Sequence, residues 1–154
     1  MVILPLIATG ADIDQKNFYT LPISQAHEAG FAGCDEKIKL VFEVAGGSNI
    51  RVNADWFEES KGSAVRLTVI WGDMGDSVFL EAEFTKSNGN CLTNVTTILT
   101  SSKTCELYKQ EMQAFTFVAQ SLYTMMENAR RAVMLLKPVN NGCMAIFQQS
   151  KKDA

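Results

Sequence analysis

His27, within "ISQAHEAG", is the one histidine among 154 residues. An imidazole of ordinary pKa, about 6.5, suits proton transfer at neutral pH. It needs a second group to do so, and the chain offers none in a recognisable pattern. A single histidine completes neither an HExxH pair nor a histidine-rich zinc site. No serine stands in a GxSxG elbow, and beside Glu28 the imidazole reads as a surface group. "GDMGDS" at 72–77 sets Asp73 and Asp76 among glycines, without the spacing or terminal glutamate of an EF-hand loop. It reads as a hairpin turn. "AGGSN" at 45–49 lacks the lysine and following helix of a phosphate-cradling loop. No catalytic residue, metal ligand or cofactor is expected, and enzymatic activity is the least supported reading.

Cys34, Cys91, Cys105 and Cys143 contain no CxxC spacing. Four cysteines admit three pairings that sequence cannot separate, and a reducing cytosol favours free thiols. Asn94-Val95-Thr96 matches a glycosylation sequon, which matters only in a secreted chain.

Composition narrows the partners. The net charge is −3, and the basic residues cluster only at Arg130-Arg131 and Lys151-Lys152. That is no stripe for nucleic acid. No apolar run is long enough for a membrane span. "MVILPLIATGA" has no basic residue ahead of its apolar run and is broken by Pro5, so it is not read as a secretion signal. "FAGCD" at 31–35 follows a segment too polar for a lipoprotein leader. The expectation is a cytoplasmic protein, with a secreted or periplasmic one as the alternative if the start is trimmed.

By length the chain is one domain, 1–154. Residues 1–37 read as an irregular segment with a short strand in "VILPLIA" and a short helix in "PISQAHEAGF". From 38 to 102 apolar residues alternate: Ile38, Leu40, Phe42, Val44; then Ile50, Val52, Ala54, Trp56; then Val65, Leu67, Val69, Trp71; then Val78, Leu80, Ala82, Phe84. "CLTNVTTILTSS" supplies a fifth, β-branched strand. Glycine-containing turns separate these runs, and Asn88-Gly89 is a hairpin signal. The result is an antiparallel meander of five or more strands. Its outer face carries Lys39, Glu43, Arg51, Asp55, Arg66, Glu81 and Glu83, together with apolar Val41, Ile70 and Phe79.

Residues 104–137 contain no glycine, and proline only follows, at 138. Tyr108, Met112, Phe115, Ala119, Leu122, Met126, Ala129, Val133 and Leu136 recur at spacings of three and four, the stripe of a long amphipathic helix. Pro138 would end it, leaving 138–154 as a tail. The expected class is α+β, a curved antiparallel sheet packed on one long C-terminal helix.

This order of elements resembles the helix-grip fold of the START-related superfamily, over roughly 38–137 and with no supporting motif. The resemblance implies a cavity between sheet and helix for an apolar molecule such as a lipid, sterol or polyketide. Trp56 and Trp71 on the sheet, with Tyr108, Met112, Phe115, Leu122, Tyr123 and Met126 on the helix, are the candidate lining. Non-catalytic binding of a small apolar molecule is the leading reading. A solid-core interaction or homo-oligomeric module is the alternative, motivated by the apolar residues on the outer face. A cyclase- or hydrolase-type enzyme in the same cavity is the third.

Overall fold

The computed structural model describes residues 2–3 and 18–151. Along the chain these form β1 (Val2–Ile3), α1 (Thr20–Glu28), α2 (Asp35–Phe42), β2 (Arg51–Trp56), β3 (Ala64–Gly72), β4 (Ser77–Ser87) and β5 (Asn90–Ser101). There follow α3 (Cys105–Glu111), β6 (Phe115–Gln120), β7 (Thr124–Asn128), β8 (Val133–Val139) and β9 (Gly142–Lys151). The strands make one sheet of nine in the order β1-β2-β3-β4-β5-β9-β8-β7-β6. Every neighbouring pair is antiparallel. The α+β class and the antiparallel sheet stand; the order and the identity of several elements do not.

Residues 38–42, expected to open the first strand, are the body of α2. Asp35 and Glu36 put negative charge at its first turn, where the helix dipole favours it. Ile38 and Phe42 are fully buried, whereas Leu40 is 60% exposed and Val44 68%. A four-residue spacing satisfies a helix as well as a strand, and only the intervening apolar residues, left in solvent, tell them apart. The later alternating runs do form strands. Val52 pairs with Val69 and Val69 with Leu80, all on one face. Asn88 and Gly89, at φ 52° and 78°, make the turn between β4 and β5 that needs positive φ at both positions.

The long helix is overturned. Only Cys105–Glu111 is helical in this region, capped by the Thr104 hydroxyl accepting from Leu107 N–H. The rest is β6, β7 and β8, and the expected tail is β9, paired with β5 and β8 inside the sheet. The apolar stripe was compatible with strands all along: Phe115 and Phe117, Thr124 and Met126, Met134 and Leu136 lie two apart and share one face. What the pattern concealed was the turns, built without glycine. In the β7–β8 turn the Asn128 side-chain carbonyl accepts from the N–H groups of Arg130 (2.9 Å) and Ala132 (3.0 Å), and Arg131 takes φ 59°. Pro138 is tolerated in β8 because it lies past the last residue that β7 pairs, Leu136, so its missing N–H interrupts no ladder there. With no long C-terminal helix to wrap, the helix-grip resemblance fails.

All three helices lie on one face of the sheet. Under α1 and α2, a core of Phe18, Phe31, Ile38, Phe42, Leu67 and Phe84 joins β2–β5. Under α3, a smaller core of Tyr108, Met126, Met134, Leu136 and Ala145 joins β6–β9. The cysteines, expected as free thiols, form two disulfides, Cys34–Cys91 and Cys105–Cys143. Each ties the start of a helix to the second residue of the last strand of its half.

Candidate functional site

Of the eight residues expected to line a cavity, six are divided between the two cores. Trp56 is buried in the first, with Trp71 packed at its margin. Tyr108 and Met126 belong to the second, with Met112 and Phe115 packed against it. Leu122 stands in solvent at 82% exposure, and Tyr123 carries the Lys137 ammonium 5.2 Å above its ring. No gap between sheet and long helix exists for them to line, because that helix is absent. The cavity expected to hold an apolar molecule therefore does not form.

Groups capable of chemistry are spread over the surface. His27 Nε2 lies 2.9 Å from Asp35 Oδ1, both half-exposed, and ties α1 to the start of α2. The Lys103 ammonium contacts both oxygens of Glu111 at 3.0 Å. Hydrogen bonding to Glu111, followed by its negative charge, raises the Lys103 pKa from its usual value. This pair braces α3 on the end of β5. Among the described residues no group of three or more His, Cys, Asp or Glu is placed to hold a metal ion.

What the fold assembles instead is a surface. Opposite the helices the sheet has no covering element among the described residues. Across that open face the register lines up Ile70, Phe79, Ile98, Ile146, Leu135, Met125 and Ala119, one from each of β3, β4, β5, β9, β8, β7 and β6. Each pairs directly with the next, so the seven-residue row is unbroken and uncharged, and it ends against Arg51 of β2, which pairs with Ile70. On one side it is flanked by Thr68, Glu81, Thr96 and Gln148, and on the other by Ser77, Thr100, Met144 and Lys137. The Ser77 and Thr100 hydroxyls bond each other at 2.6 Å, which keeps that flank closed. Beside it a hollow of about 320 Å³ is lined in part by Asn49, Ile70, Phe79, Ile98 and Thr100.

No protein-family model matches the chain, and neither a curated protein nor a solved structure matches it. The reading of this surface therefore rests on its physics. Ile70 and Phe79 were visible as outward apolar residues in the sequence. Ile98 lies in a strand without a clear inner face, and Leu135 and Met125 lie in the stretch whose spacing predicts a helix. Their continuation of the row depends on β9 entering the sheet between β5 and β8, which no local signal reports.

Proposed function

We propose that this protein is an interaction module that packs the open face of its sheet against the same face of a second copy. The observation that carries this is the uncharged seven-residue row. Seven strands about 4.8 Å apart, with one residue row on either side, give a patch of about 30 by 20 Å. That is about 600 Å², close to the roughly 800 Å² per partner of a standard interface and extensible by its polar rim. An uncharged row meets its own copy without like-charge repulsion, and sheets stacked about 30° apart bury such rows against each other. Isologous pairing is the commonest form of self-association.

The two disulfides support an oxidising location, such as the cell exterior or a bacterial periplasm, over the cytoplasm expected from the sequence. No described helix is long and apolar enough to cross a membrane.

Sedimentation equilibrium tests the reading. The wild-type protein is expected to sediment at twice its chain mass of 17.0 kDa. Ile98→Lys, a half-buried surface change at the centre of the row, is expected to give a monomer with an unchanged circular dichroism spectrum. A wild-type protein that stays monomeric at high concentration would refute the proposal.

A further inference from the structure

The two halves of the sheet repeat one plan. In each, a disulfide-tethered helix precedes four antiparallel strands, and the last strands, β5 and β9, pair with each other. Thr96 and Gln148, each five residues beyond the strand cysteine of its half, face one another in that pair. The pair therefore marks a local two-fold axis relating β5 to β9, β4 to β8, β3 to β7 and β2 to β6. The helices α2 and α3 also correspond. Counted from N-caps Cys34 and Thr104, the inward residues are Ile38 and Phe42 in one and Tyr108 and Met112 in the other. The hairpins entering β5 and β9 both begin their turn with an asparagine of φ 52°, Asn88 and Asn140.

Two elements have no counterpart among the described residues: β1, which pairs with β2 while β6 is the other end of the sheet, and α1. In the first half α1 lies across β2 and β3 beside α2 and buries Pro22 and Ala26, with Leu21 and Ile23 packed on the core. In the second half nothing among the described residues occupies the equivalent place over β6 and β7 beside α3. The surface left there is apolar. Phe117 is on the helix-bearing face, since it pairs with buried Met126, yet it is 59% exposed. β6, "FTFVAQ", carries no charge. Phe115 at its start pairs with Asn128, at the turn that bears exposed Arg130 and Arg131. Neither arginine has a carboxylate partner among the described residues.

We infer that this slot binds an amphipathic helix of a partner protein, in the place that α1 fills in the other half. The occupant presents an apolar stripe to Phe117, Phe115 and Met112, and acidic residues to Arg130 and Arg131 at one end. Helix-in-groove recognition of this kind reads anchors at helical spacing. The slot is on the face opposite the open row, so it is independent of the self-association proposed above.

The probe is a synthetic helix of about 14 residues, about 21 Å long, with leucines at alternating three- and four-residue spacing and two glutamates at one end. Amide NMR shifts of the full-length protein are followed as it is added. Saturable binding is expected, with shifts confined to α3, β6, β7 and the β7–β8 turn. Phe117→Asp should weaken it at least about tenfold, and the fold survives because Phe117 is largely exposed. Reversing both arginines to glutamate should weaken it about tenfold and let a lysine-ended peptide bind instead. Absence of saturable binding, shifts on the open face, or equal affinity for a peptide with scrambled leucines would overturn the inference. So would a wild-type dimer that only Phe117→Asp dissociates, since the occupant would then be a second copy.

Discussion

The first half of the sheet and the second are built to the same order but not to the same depth. The first has strands of nine to twelve residues in β3, β4 and β5, two covering helices and a core rich in phenylalanine. The second has strands of five to seven residues in β6, β7 and β8, one seven-residue helix and a core of six buried side chains. Apolar burial scales with covered area, so the second half holds itself together less and depends more on its disulfide and on the seam with β5. A shared plan can therefore support two roles, a stable scaffold and a face left open for a partner.

Removing each disulfide tests that difference most strongly. The two bridges close loops of 57 and 38 residues, for which chain entropy predicts nearly equal losses of about 4 kcal/mol. Equal losses are expected from equilibrium denaturation, but unequal consequences from hydrogen exchange. Replacing Cys105 and Cys143 by serine should expose the amides of α3, β6 and β7 while β2–β4 remain protected. Replacing Cys34 and Cys91 should lower global stability without such selective opening. Selective opening of the first half instead would reverse the comparison.

A smaller effect distinguishes equivalent core positions. Two residues beyond the strand cysteine stands Thr93 in the first half and Ala145 in the second, both buried. The Thr93 hydroxyl has no hydrogen-bond partner among the described residues, and an unsatisfied buried hydroxyl is costly. Thr93→Val keeps the volume and removes that cost, so urea denaturation should show a gain of about 1 kcal/mol. A loss of stability would mean that the hydroxyl has a partner, such as a buried water.

The smallest effect is electrostatic. Because Glu111 raises the Lys103 pKa, the link strengthens the folded state while Lys103 is protonated, below the usual lysine value of 10.5. The contribution disappears as pH rises through the higher folded value. NMR titration of the lysine side chains should place the Lys103 midpoint above 10.5, and Glu111→Gln should return it toward that value. An unmoved midpoint would leave α3 tethered only by its disulfide and its few core contacts.

Legibility in the sequence followed the same division. In β2–β4 apolar and charged residues alternate cleanly, so period and parity read out strands and their inner faces. In 115–139 apolar residues occupy both faces of the strands, because the open row and the second core both draw on them. That double demand erased the alternation and imitated a broad helical stripe. The turns gave no warning, since Asn128 and Arg131 do the work usually left to glycine. Of the candidate residues, Trp56, Tyr108 and Met126 are buried, in two separate cores that only the strand order of the sheet keeps apart.

The sequence by itself determined the α+β class, the hairpin at Asn88-Gly89, the inner faces of β2–β4 and the outward apolar pair Ile70 and Phe79. These depend on residues near one another in the chain, where backbone preference and side-chain period act directly. Tertiary structure alone decided that Cys34 meets Cys91, that Cys105 meets Cys143, and that β9 enters beside β5 to complete the row and the two-fold seam. Pairing of distant strands is settled by which arrangement buries the most apolar surface while satisfying every backbone group, a competition across the whole chain that no local window contains.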